Sequence, residues 1–125
     1  MARSDARGER QFRQLVAEAL DRIPAEFAKL LDNVAVVVEE EPSEEDLSEV
    51  GLDAREGDEL LGLYHGTPLD ARGFEYGELP DRVVIYRGPI LRIARTRAEV
   101  IRQVQETVLH ELGHHFGLEE EDLPF

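Results

Sequence analysis

The amino-acid sequence indicates a small α+β domain, with a helix near each end and short strands between them. Near both ends, apolar residues recur every three to four positions, which is the spacing of one helical face. Between these regions the apolar runs are short, rich in β-branched residues and bounded by turn-forming residues, as in strands. The 125 residues suffice for one modest hydrophobic core, so we expect a single domain over residues 1–125.

The amino-terminal helix is predicted from Phe12 to Ile23, where the apolar residues share one face. Pro24 ends this helix, and it can open a second short helix that runs through Leu31 because proline is tolerated at the first helical position.

Three short apolar segments are predicted to be strands: residues 33–40 (NVAVVVEE), 60–66 (LLGLYHG) and 82–88 (RVVIYRG). After the first strand, Ser43 and Asp46 suggest a capped helical turn that Gly51 closes. The stretch between the second and third segments is rich in Gly, Pro and Asp, so we expect a loop there.

The carboxyl-terminal helix has the clearest limits. Thr96 followed by Glu99 is a capping box, which places the helix start near Arg97. Gly117 is suited to end it in a left-handed conformation. At about 100° per residue, one apolar arc is formed by Val100, Ile101, Val104, Val108, Leu112 and Phe116.

The segment HELGHHFG, residues 110–117, lies on this last helix and contains three of the chain's four histidines. His110 and His114 are only about 40° apart around the helix and lie outside the apolar arc, so we expect two exposed, adjacent imidazoles. His115 falls inside the arc and is predicted to pack or to support a ligand rather than to bind metal.

Two imidazoles one helical turn apart can bind the same cation, and neutral imidazole is a good ligand for Zn²⁺. The chain has no cysteine, so a metal site must use imidazole and carboxylate ligands. A catalytic zinc needs three protein ligands and a water, and Glu111 is placed to accept the proton of that water. The spacing therefore predicts a hydrolytic zinc centre.

A third ligand must come from beyond the Gly117 turn, where the chain can double back toward the histidines. The candidates are the acidic residues Glu119, Glu120, Glu121 and Asp122. The alternative is that these residues open a further short helix toward Leu123, because acidic side chains are favourable at a helix amino terminus. The two interpretations are compatible.

At this point a family resemblance is apparent. HELGHHFGLEE resembles the extended HExxHxxGxxD pattern of the Asp-zincin metallopeptidases, and TVLHELGHHFGL near the carboxyl terminus resembles a small bacterial zincin-like family. NVAVVVEE, LLGLYHGTPL and LPDRVVIYRGPI are similar to the same family. The resemblance implies a minimal zincin fold, in which a small mixed sheet packs against the amino-terminal helix and the metal-binding helix.

The resemblance also implies roles for individual residues. His110 and His114 would be zinc ligands, and Glu111 would be the general base. The third ligand would be the residue three after Gly117, which is Glu120 here, where the pattern has aspartate. The longer side chain changes the reach of the carboxylate, and Asp122 remains the alternative third ligand.

The net charge of the protein argues against two classes of binding partner. The net charge of −14 argues against nucleic acid and against an anionic membrane surface. The amino terminus is too charged for a secretory signal and no apolar run has membrane-spanning length, so we expect a cytoplasmic protein.

The sequence is compatible with two functions. The first is a zinc peptidase whose peptide or protein substrate lies along a sheet edge such as LLGLYHG, and the second is a non-catalytic metal-binding or protein-interaction domain. A groove beside an exposed antiparallel edge favours the first.

Overall fold

The computed structural model describes residues 8–52, 59–66 and 81–124. These contain five α-helices: α1 (Glu9–Asp21), α2 (Ala25–Ala28), α3 (Glu44–Glu49), α4 (Arg87–Ile93) and α5 (Arg97–Phe116). The strands are β1 (Val34–Glu39), β2 (Gly62–His65) and β3 (Asp81–Tyr86), and short 3-10 turns cover Lys29–Leu31 and Glu120–Asp122. The predicted α+β class is confirmed. The loop predicted between the second and third strands lies almost entirely outside the described residues.

The three strands form one mixed sheet in the order β1–β3–β2. β1 runs parallel to β3, with Val36 opposite Val83, and β2 runs antiparallel to β3, with Tyr64 opposite Val83. The apolar sequence of β3 suits the central position, which is covered on both faces. Among the described residues no strand pairs with the far side of β2, which is the edge strand on that side of the sheet.

The core lies between one face of the sheet and the helices α1 and α5. Side chains alternate along β3, so that Val83 and Ile85 join the helices while Val84 and Tyr86 pack on the opposite face with Leu63. The residues that α1 and α5 bury in this core are Phe12, Leu15, Val16, Ala19, Val100, Ile101, Val104, Val108, Leu109 and Leu112. Most of them occupy the two helical faces predicted from periodicity.

Two predictions about these elements need correction. Phe116, assigned to the apolar arc of α5, is 48% exposed, because the buried residues of α5 end at Gly113 and its last turn lies outside the core. The third strand was predicted to reach residue 88, but it ends at Tyr86 and α4 begins at Arg87. Pro89 fits the first turn of α4, where helical N–H groups have no intrahelical partner.

The predicted caps are present. The Thr96 hydroxyl accepts a hydrogen bond from the Glu99 N–H at 3.1 Å, and the Glu99 carboxylate accepts one from the Thr96 N–H, which completes the capping box of α5. Ser43 caps α3 through the Asp46 N–H. In the part of the chain that the structure describes, no helix is both long and apolar enough to cross a membrane.

Candidate functional site

His110 and His114 line one cleft of about 340 Å³ near the carboxyl-terminal end of α5. Its other lining residues are Gly113, Gly117, Leu118, Glu119 and Leu123. His114 is exposed, as predicted, whereas His110 is half-buried. The two imidazoles come from consecutive turns of a helix whose other face is fixed in the core, so the site has a rigid base.

The chain reverses direction after α5 and returns over this cleft. Gly117 adopts φ 75°, and the Leu118 N–H donates to the Gly113 carbonyl at 2.7 Å, which closes the helix end. Leu123 then packs against the core and beside Gly113. The turn thereby brings an acidic segment next to the two histidines, and Glu119 lines the cleft with them.

The four acidic candidates occupy different positions in this segment. Asp122 accepts a hydrogen bond from the Glu119 N–H at 3.0 Å, so its carboxylate stabilises the 3-10 turn. Glu121 is exposed, and the backbone of Glu120 opens the turn, while its side chain lies outside the described part of the structure. The short helical turn expected after Gly117 is therefore present. Among the described side chains, no three His, Cys, Asp or Glu residues are arranged to hold a metal ion.

Glu111 lies on the side of α5 that faces the edge strand β2. Its Oε1 accepts a hydrogen bond from the Tyr64 N–H at 3.2 Å. Burial raises the pKa of the Glu111 carboxyl, while the Tyr64 N–H and the neighbouring His114 and His110 oppose that rise. The carboxylate is thus half-buried between the edge of the sheet and the histidine pair.

Gly62 allows β2 to lie close to α5. A Cβ at this position would be 2.6 Å from Thr107 Cγ2 and 2.9 Å from the Val84 carbonyl oxygen, both inside van der Waals contact. Thr107 is buried, only 7% exposed, because β2 covers it. The absence of a side chain at Gly62 therefore allows β2 to approach α5 closely at Thr107.

We expect Gly62→Ala to lower the free energy of unfolding by about 1–3 kcal/mol, the usual cost of overpacking. Gly113→Ala is the matched comparison, because its Cβ would meet Leu123 at 3.5 Å, an ordinary contact. Alanine inside a helix is favoured over glycine by about 0.8–1 kcal/mol, so this variant should be more stable than the wild type. Urea denaturation of both variants measures the difference. Equal stability of Gly62→Ala and wild type would show that β2 tolerates displacement from α5.

His115 does not enter the core as its place in the apolar arc predicted. Its side chain is 42% exposed, and its ring stacks on Tyr64 with the centroids 3.9 Å apart. The Tyr64 hydroxyl donates to Asp81 Oδ2 at 2.5 Å. Asp81 was not predicted to contribute to this site, because nothing in the sequence near Asp81 signals a partner 17 residues away.

The side chains that line the cleft are of the types that bind zinc in proteins. The two imidazoles line the same cleft, and neutral imidazole is a good zinc ligand. Glu119 adds a carboxylate to the lining of the cleft. No cysteine is available anywhere in the chain, so imidazole and carboxylate are the only strong ligands. Such a mixture of nitrogen and oxygen donors is typical of catalytic zinc sites rather than of structural ones.

Comparisons with known proteins identify the family of this chain. The model of the zincin-like metallopeptidase family matches residues 31–124. A solved structure of a conserved hypothetical protein from Thermus thermophilus is 31% identical in sequence, with a TM-score of 0.58 over 88% of this chain and 94% of that one. No curated protein matches the chain. On the family match, which includes β1, β2, β3 and the helix with the histidine pair, the chain belongs to the zincin-like metallopeptidases.

Proposed function

We propose that this protein is a zinc-dependent metallopeptidase that cleaves an extended peptide bound along β2. The observation that carries the proposal is the position of Glu111. Its carboxylate is adjacent in sequence to one histidine of the cleft and is hydrogen-bonded to the outer edge of the sheet. A general base placed between a metal-ligand pair and a peptide-binding edge is what hydrolysis of a peptide bond requires.

His110 and His114 would hold the zinc ion, with Glu120 as the third ligand and Asp122 as the alternative. When bound, zinc supplies Lewis-acid chemistry: it polarises the carbonyl of the substrate and lowers the pKa of a water. Asp122 already accepts the Glu119 N–H, which supports a structural role for Asp122. Glu120 is preferred because it occupies the position of the third ligand in the family pattern that this segment resembles. The family is typically zinc-binding, and the ligand residues are our assignment.

Glu111 would accept the proton of the attacking water and return it to the leaving amine. Burial raises the pKa of its carboxyl, which makes the carboxylate a stronger base than an exposed glutamate. The Tyr64 N–H fixes one carboxylate oxygen, so the orientation of the base is set by the main chain of β2. Both features support Glu111 as the residue that moves the proton.

In this proposal an extended substrate would pair with the outer edge of β2 through main-chain groups. The Tyr86 N–H donates to the Leu61 carbonyl, so the main-chain groups of every second residue of the strand bond to β3. The main-chain groups of the intervening residues, Gly62 and Tyr64, are directed away from β3. The bond from the Tyr64 N–H to Glu111 agrees with this alternation. An extended peptide can pair with such an edge through its own main chain. We therefore expect the protein to select substrates by an extended main chain more than by particular side chains.

The proposal is tested by incubating zinc-loaded protein with a broad library of unstructured peptides and identifying products by mass spectrometry. We expect internal peptide bonds to be cleaved, cleavage to stop when a chelator removes the metal, and cleavage to return when zinc is added. If protein that carries one zinc per chain cleaves no peptide, the proposal is wrong and the chain is a non-catalytic metal-binding domain.

The acidic segment provides a separate prediction about the third ligand. Glu120→Ala should weaken zinc binding more than Glu119→Ala or Glu121→Ala, because only a direct ligand loses a bond to the metal. Competition titration against a calibrated chelator ranks the three variants. Asp122→Asn is the appropriate fourth variant, since the amide oxygen can still accept the Glu119 N–H. If Asp122→Asn is the most damaging, Asp122 is the third ligand.

A further inference from the structure

A second group of side chains holds β2 against α5 beside Glu111. The rings of Tyr64 and His115 are stacked, with centroids 3.9 Å apart and planes inclined by 14°. The Tyr64 hydroxyl donates to Asp81 Oδ2 at 2.5 Å, and the same oxygen is 4.0 Å from His115 Nε2. Asp81 is only 12% exposed. The ring of Tyr64 is thus fixed by one residue of α5 and one residue of β3.

This group is directly connected to Glu111 through a single residue. Tyr64 donates its main-chain N–H to Glu111 and presents its ring to His115. Glu111 and His115 are four residues apart, so they are neighbours on consecutive turns of α5. A shift of β2 along the helix would therefore disturb the ring stack and the bond to the carboxylate together.

We infer that His115 and Asp81 are positioning residues, which hold Tyr64 in the place where its N–H orients the Glu111 carboxylate. The inference rests on the proposed function for the role of Glu111 as general base. A free glutamate side chain samples several rotamers, whereas a carboxylate bonded to a fixed main-chain N–H keeps one orientation. Misplacement of a reacting group by about 1 Å can cost about 10²-fold in rate. A residue that touches neither substrate nor metal can thus affect turnover.

Three variants on α5 separate positioning from general stability. His115→Ala removes the stack, His115→Phe restores a ring that can stack on Tyr64, and Phe116→Ala removes a neighbouring exposed ring that meets His115 edge-on at 5.0 Å. We expect His115→Ala to lower kcat about 10- to 100-fold with KM and zinc affinity nearly unchanged. His115→Phe should recover most of kcat, and Phe116→Ala should match the wild type.

The direct readout is hydrogen exchange of the Tyr64 amide, measured by NMR on metal-free protein. Glu111→Ala calibrates the experiment, because it removes the acceptor of that amide. We expect exchange about tenfold faster in Glu111→Ala and in His115→Ala, and slow exchange in wild type, His115→Phe and Phe116→Ala. If His115→Ala fails to fold, Tyr64→Phe tests the same restraint, since it removes only the hydroxyl that donates to Asp81.

The outcomes distinguish this inference from the proposed function. Slow exchange of the Tyr64 amide in His115→Ala, or no rescue by His115→Phe, overturns the positioning role even if the wild type cleaves peptides. The expected exchange pattern in a protein that cleaves no peptide supports the restraint on Glu111 and refutes the peptidase activity. A uniform rise in amide exchange over the whole of α5 in His115→Ala would identify His115 as a residue of general stability and overturn the inference.

Discussion

Replacement of Glu111 by glutamine should leave zinc binding and the fold nearly unchanged while hydrolysis falls by about 10² to 10⁴, the usual contribution of a general base. The amide has the shape of the carboxylate, and its oxygen can still accept the Tyr64 N–H. It cannot accept the proton of an attacking water. The measurement is the cleavage rate of a library peptide by zinc-loaded wild type and variant.

Glu106→Gln is the matched control for this experiment. Glu106 is also on α5, but it forms an ion pair with Arg102 on the helix surface at 3.1 Å. Such exposed pairs contribute about 0–1 kcal/mol, so this variant should cleave at the wild-type rate. Equal cleavage by Glu111→Gln and wild type would mean either that another residue is the base or that a contaminating protease is responsible. A chelator-treated sample separates those two explanations.

The second large effect concerns the metal. His110→Ala and His114→Ala should each abolish stoichiometric zinc binding, because a site with three protein ligands cannot spare one of its two imidazoles. His115→Ala should keep zinc, since its ring lies against Tyr64 rather than in the cleft. Metal analysis after dialysis measures the stoichiometry of all three variants. Loss of zinc from His115→Ala alone would contradict the assignment.

Much of this fold follows from local patterns in the sequence. The capping box at Thr96 and the left-handed Gly117 fix both ends of α5, and both depend only on residues within a few positions. The same is true of the α3 cap at Ser43. The apolar periodicity of α1 and α5 then determines which faces meet. These elements were predicted because their causes are short-range.

Other features depend on contacts that are distant in sequence. The end of β3 at Tyr86 was missed, because α4 begins directly after the apolar run without a side-chain cap that would mark its start. The exposure of Phe116 depends on where the core stops along α5. The burial of Thr107 depends on the approach of β2 at Gly62, 45 positions away along the chain.

In the candidate site, too, features set by neighbouring residues were predicted and contacts between distant residues were not. The spacing of His110 and His114 predicted two neighbouring imidazoles, and the structure shows that both line one cleft. The Glu111 carboxylate lies on the side of the helix that faces β2. The partners of that carboxylate were not predictable in this way. Tyr64 reaches it across 47 positions, and Asp81 fixes Tyr64 from a third strand. The roles of Tyr64 and Asp81 depend on the order of the strands in the sheet, which the sequence did not predict.

The most direct test of the central claim is the metal content of the wild-type protein, purified without chelators and without a metal-affinity tag. Inductively coupled plasma mass spectrometry against quantitative amino-acid analysis gives the number of metal ions per chain. The zinc centre formed by His110, His114 and an acidic residue after Gly117 predicts one zinc per chain. Protein that is folded, free of zinc and unable to bind it on titration would contradict the account.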